Sequence, residues 1–259
     1  MAVKQTKKLN DSSVTDVTTV NSTDRILMKD SNGKLIPISL ANLKAAMMEG
    51  VDQNVQMDGV FIMYHRKQDD YPVMVKPHKW PSLQSGGEVA DGVAIVEGGK
   101  ILIVAPTEAS MNWSSAQVSG GGVVTTDRVT ALNDWAGKAN TTAQITHAEC
   151  SSNAYAPGYC ANYSRVNANS KGLTAGKWWL PSLGEMMMIY ANMTKINYAL
   201  SLISGATQLS ENWYWTSTEA SAAHAWDLNL SNGRYGYAHD YTTKASTTCR
   251  VRPVSAFIA

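Results

Sequence analysis

Hydrophobic and polar positions alternate most sharply near the end of the chain. Trp213-Tyr214-Trp215-Thr216-Ser217-Thr218 is aromatic and β-branched, which suits a pleated, half-buried strand. Ala225-Trp226-Asp227-Leu228-Asn229-Leu230 puts Trp226, Leu228 and Leu230 on one face and Asp227 and Asn229 on the other. Asn232-Gly233 follows, a pair that tolerates the positive φ of a tight hairpin. The segment 234–241 returns, and 249–254 supplies a closing strand. A two-residue loop would set Leu228 opposite Tyr237 and Trp226 opposite His239. A three-residue loop sets Asn229 opposite Tyr237 and Asp227 opposite His239. The second register, or a bulge equivalent to it, is expected. It keeps His239 and the tyrosine hydroxyls in solvent, with Gly236 and Ala238 toward Trp226.

Upstream, two short apolar runs around Asn32-Gly33 read as a hairpin, and Ser39 as the cap of a short helix through 41–48. Residues 1–50 form a small N-terminal attachment or oligomerisation module, and 51–57 a linker. A strand at 59–64, loops through the proline- and glycine-punctuated 66–92, and a hairpin about Glu97-Gly98-Gly99-Lys100 follow. Asp127 caps an expected helix over 127–140 with Val129, Leu132, Trp135, Ala136 and Ala139 as its stripe. Residues 146–176 read as a long irregular stretch. Ser182-Leu183-Gly184-Glu185 fits the capping box of a second helix.

Composition narrows the function. Only 17% of residues are charged and the net charge is +1, so no electrostatic footprint for nucleic acid or anionic membrane is present. No run approaches the roughly eighteen apolar residues of a membrane span. The N-terminus lacks the apolar region of a secretory signal, which predicts synthesis in the cytoplasm. Three cysteines cannot build a disulfide framework, and Cys150 and Cys160 read as free thiols. Between Glu219 and Thr248 there is no Val, Ile, Phe or Met. Tyr, Ser, Asn, Asp, His, Thr, Gly and Ala predominate, the vocabulary of a paratope.

Several blocks occur in one order: Ile101-Leu102-Ile103-Val104-Ala105-Pro106, the 127–140 segment, Trp179-Leu180-Pro181-Ser182-Leu183-Gly184-Glu185, Tyr214-Trp215-Thr216-Ser217-Thr218-Glu219, Ala225-Trp226, Asn232-Gly233 and Arg250-Val251-Arg252-Pro253. Together they resemble the C-type-lectin-fold variable proteins of diversity-generating retroelements, the class to which phage major tropism determinants belong. The resemblance covers 57–259. It implies an α+β, C-type-lectin-like fold with two helices flanking small antiparallel sheets and a loop-rich ligand face. It also places a variable region at about 212–248. On that basis the candidate ligand-binding residues are Ala220, Ser221, Ala223, His224, Asp227, Asn229, Arg234, Tyr235, Tyr237, His239, Asp240 and Tyr241.

The implied function is receptor binding through a hypervariable surface on a phage tail-fibre tip, with a host cell-surface protein or glycan as partner. A virion location follows, and the fibre-tip analogy allows a homotrimer. The alternative is a bacterial surface adhesin or glycan-binding lectin of the same fold. The Glu-Pro-Asn, Gln-Pro-Asp and Trp-Asn-Asp tripeptides of calcium-dependent lectins are absent, so no metal or other cofactor is expected. A formylglycine-generating-type oxidase is the reading from another class, with Cys249 lacking an evident second thiol. His65, His78, His147, His224 and His239 are scattered, and no phosphate loop, G-x-S-x-G or H-E-x-x-H occurs. No catalytic residues are assigned.

Overall fold

The computed structural model describes residues 25–29, 33–39, 58–237 and 243–256. The chain divides into two compact units, Met1–Gln56 and Met57–Ala259. In the first, β1 (Arg25–Lys29) and β2 (Leu35–Ser39) form the antiparallel hairpin that the Asn32-Gly33 signal predicts, with Met28 opposite Ile36. The helix expected at 41–48 lies outside the described residues.

The second unit is α+β, with small, largely antiparallel sheets. β3 (Gly59–His65), β4 (Pro72–Val75), β5 (Ala90–Glu97), β6 (Lys100–Val104) and, from the far end of the chain, β14 (Val254–Ser255) form one sheet in the order β14-β6-β5-β3-β4. The first and last strands of the unit thus share a sheet. β7 (Ala109–Met111), β10 (Trp213–Glu219), β11 (Ala225–Asn229), β12 (Tyr235–Gly236) and β13 (Cys249–Val251) form a second, ordered β12-β11-β10-β13-β7, in which β10 and β13 run parallel. β8 (Arg165–Val166) and β9 (Gly172–Leu173) make a short hairpin.

Helices fill what the sequence left as loops. α1 (Trp80–Ser85) and β4 lie within 66–92, while α4 (Ala148–Ser151), α5 (Ala156–Asn162) and β8-β9 lie within 146–176. Their brevity explains the miss, because four to seven residues carry too little periodicity to register. The single helix expected over 127–140 is instead two, α2 (Arg128–Leu132) and α3 (Gly137–Gln144). Asp127 caps α2 as expected, accepting from Thr130 N at 2.8 Å. The break comes from Asp134, whose carboxylate accepts from Ala136 N, Asn140 Nδ2 and Thr218 Oγ1. That side chain competes with the helix for backbone donors and turns the chain. The expected apolar stripe is therefore lost: Val129 is 66% and Trp135 40% exposed.

α6 (Leu183–Ala191) begins with the predicted capping box, and α7 (Met193–Ser201) follows it closely. Met186 and Ile189 of α6 join Ile62, Val93 and Val104 of the first sheet and Tyr214, Trp226 and Leu228 of the second in one large core. The other face of the second sheet is also covered. Trp215, Ala225 and Val251 pack there with Trp113, Cys150, Cys160 and Leu180. Both faces of β10 and β11 are therefore covered, so Asp227 is buried and does not meet solvent as strict alternation predicts, while Asn229 at the strand's end is half-buried. All three cysteines are free thiols, and burial raises the pKa of each.

Candidate functional site

The candidate residues lie at both ends and along the edge of the second sheet: the chain turns from β10 into β11 at one end of β11 and from β11 into β12 at the other. Residues 220–224 form a self-braced turn. Ala220 N and Ser221 N donate to His224 O at 3.0 and 3.1 Å, and Ser221 Oγ accepts from Ala223 N and His224 N at 3.2 Å. Two outside bonds hold the turn in place: Val118 N to Ala222 O at 3.0 Å and Lys244 N to Ala223 O at 2.9 Å. Ala220 is buried, Ser221, Ala223 and His224 are half-buried, and Ala222 is exposed.

The second turn departs from both registers considered above. Asp227 faces Gly236 and Leu228 faces Tyr235, with Asn229 N donating to Arg234 O at 2.8 Å. The connection is thus longer than either expected loop. Asn229 builds it by accepting from Ser231 N and Ser231 Oγ at 2.8 and 2.6 Å, and Asn232 accepts from Arg234 N at 2.9 Å. These are Asx-type turns, in which a short side chain replaces a backbone acceptor. Arg234 is exposed at the tip.

This register corrects the expected face. Tyr235 and Tyr237 lie on the Trp226 side: the Tyr237 ring meets Trp226 edge-on at 4.7 Å and the Tyr235 ring lies 6.2 Å from it. Arg128 of α2 covers Tyr235 at 5.8 Å. Both tyrosines remain half-buried, so the apolar ring bodies pack while their edges stay accessible. Asp227 is also displaced from its expected place, being 1% exposed, opposite Trp215. Burial pushes its carboxyl up to about 7, while its own backbone amide and Arg234 pull the other way. His239, Asp240 and Tyr241 lie outside the described residues. Of the predicted residues, Ser221, Ala223 and His224 keep access to solvent at one end of β11, and Asn229, Arg234, Tyr235 and Tyr237 at its other end and along the β12 edge.

The sequence reading missed what holds the segment. Lys244 Nζ lies 2.5 Å from Glu219 Oε2, with both side chains fully buried. The ammonium also donates to Val118 O at 2.9 Å and sits 4.2 Å over the Trp113 ring. Glu219 further accepts from Gly120 N at 2.8 Å and Gln144 Nε2 at 3.2 Å. Burial lowers the Lys244 pKa, and the bond to Glu219 opposes that shift. Around it, Trp113 N and Ser114 N donate to Lys244 O, and Asn112 Nδ2 to Ala245 O. The pair therefore anchors both ends of the 220–243 stretch to the core. A lone lysine among small polar residues was the available signal. Arg252 is likewise buried and donates to Ala105 O, Thr207 O and Glu108. Among the described residues no group of three or more His, Cys, Asp or Glu could hold a metal ion.

No protein-family model and no curated protein match the chain. Among solved structures, a fimbrial protein from Bacteroides ovatus is similar, at 15% sequence identity and a TM-score of 0.34. The match covers 60% of this chain and 35% of that protein.

Proposed function

We propose that this chain is a receptor-binding protein whose C-type-lectin-like domain displays a variable surface at the turns and edge of its second sheet, on a phage tail fibre or a related particle. One observation carries the reading. The segment with paratope composition is tied down at both ends by backbone bonds and the buried Lys244–Glu219 pair, while its turns leave side chains free. A display surface needs that separation, because side chains can then vary without cost to the framework. The small antiparallel sheets with helices packed against them are of the kind the C-type-lectin-like resemblance implies. Affinity would come from the half-buried rings of Tyr235 and Tyr237, and orientation from His224 and Arg234. The partner is a host cell-surface protein or glycan.

The test is a library on the intact chain in which Ser221–His224, Arg234, Tyr235, Tyr237 and 239–241 are randomised and panned against two unrelated soluble proteins. Most clones should fold, and separate specific binders should emerge for each target. If folded clones are common but neither target selects any binder, this surface does not recognise ligands and the reading fails.

A further inference from the structure

A second site lies between α2, α6 and the β5–β6 turn. Two adjoining hollows of about 250 and 480 Å³ share Lys100, Trp135 and Met188 as walls. Leu132, Met187 and Ala191 line the larger, and Leu102, Trp179, Ala256 and Glu185 the smaller. These volumes suit a small molecule or a single long side chain.

Glu185 gives the smaller hollow its chemistry. The residue is 6% exposed. Its Oε2 accepts from Ser182 N at 2.9 Å and Trp179 Nε1 at 3.1 Å, which completes the α6 cap. Glu185 itself lines the hollow, and its two donors, Ser182 N and Trp179 Nε1, both meet Oε2. Gly137 keeps that carboxyl in place, since a Cβ there would stand 2.1 Å from Oε2. A buried carboxylate in a hollow with apolar and aromatic walls favours charge-assisted donors, and a cation supplies them best. The same wall already attracts ammonium groups. Lys100 Nζ rests 4.4 Å from the Trp135 ring centre and forms no ion pair among the described residues, and Lys138 Nζ lies 5.9 Å from that of Trp179.

We infer that these hollows bind an organic ammonium ion with an apolar body, its nitrogen on Glu185 and its body along Trp135 and Met188. Indole faces and methionine sulfurs suit such a cation. Charged groups near Glu185 are Asp134 in the α2–α3 link, Lys138 on α3, and Lys100 and Glu97 at the β5–β6 turn. Burial and, less, Asp134 push its carboxyl up to about 7. Ammonium affinity therefore falls as pH drops below about 7, when the carboxyl takes up a proton.

Phenethylammonium, phenethyl alcohol and 3-phenylpropionate, titrated into the full chain by calorimetry at about pH 5.5 and about pH 8, test this. The ammonium should bind saturably, better at the higher pH, with the alcohol and carboxylate at least tenfold weaker. An Nα-acetyl-lysine amide probe separates the two sources of the chemistry. Binding tighter than phenethylammonium assigns the site to a partner's lysine, and weaker binding to a free amine. Glu185→Gln retains the cap geometry and should remove the preference for the ammonium and its pH dependence. Trp135→Leu, at a 40% exposed position, should weaken binding without unfolding. Equal binding of all three probes, an unchanged pH profile in Glu185→Gln, or no saturation by about 10 mM would overturn the inference.

Discussion

Buried ionisable side chains decide how this framework responds to conditions, and Asp227 is the clearest case. Its position between Trp215 and Gly236 leaves the carboxyl short of water, which raises its pKa from 3.8 to about 7. The folded state then holds a proton that the unfolded chain releases. Between those two values the unfolded state binds fewer protons, so stability falls as pH rises from about 4 to about 7 and levels off above. Asp227→Asn removes that slope. Urea melts at several pH values should show the variant gaining on the wild type across this interval and holding a constant difference above it. A difference that stays flat from pH 4 to 8 would mean that the carboxyl is ionised throughout. Glu185, also raised to about 7, contributes a slope of the same sign and survives in this variant, so the wild-type dependence is reduced and not abolished.

At the scale of elements, strands and caps were legible and connections were not. The β1–β2 and β5–β6 hairpins follow Asn-Gly and Gly-Gly signals, and the α6 cap follows Ser182 and Glu185, because those devices act within a few residues. The β11–β12 register failed because the turn is set by Asn229 and Asn232 together with a tertiary neighbour. Gly233 has φ +72°, and a Cβ on it would lie 2.8 to 2.9 Å from the Tyr190 ring of α6. The turn therefore leans on a helix that local pattern cannot reveal. The break between α2 and α3 has the same origin, since Asp134 serves Thr218 on a strand distant in sequence. Gly233→Ala combines a left-handed backbone with a ring clash and should cost about 1–3 kcal/mol. In a Tyr190→Ala background the clash is absent and only the backbone strain of about 1–2 kcal/mol remains. A double-mutant cycle by chemical denaturation should therefore be non-additive. Strict additivity would show that the turn and α6 do not touch in solution.

For the whole molecule, the composition of 220–248 pointed to the surface, but alternation within β11 assigned the wrong side chains to it. The reason is global: a second layer containing Trp113, Cys150, Cys160 and Leu180 covers the face that strict alternation would leave wet. The candidate site therefore resides in turns and at an edge, while Asp227 belongs to the framework. This division makes a direct thermodynamic claim. Ala222, His224 and Arg234 reach solvent at the two turns, so Ala222→Ser, His224→Ala and Arg234→Ala combined should move stability by no more than about 0.5 kcal/mol each. Lys244→Met acts on the anchor instead. It leaves Glu219 buried without its cation, and loss of one partner of such a pair costs about 3–5 kcal/mol. Adding Glu219→Gln to Lys244→Met should recover part of that loss, because the stranded charge disappears while Gly120 N keeps an acceptor. Melts of the four proteins, wild type included, decide the matter. If the turn variants unfold as readily as Lys244→Met, the turns are themselves structural, and the separation of display from support that the proposed function requires does not exist.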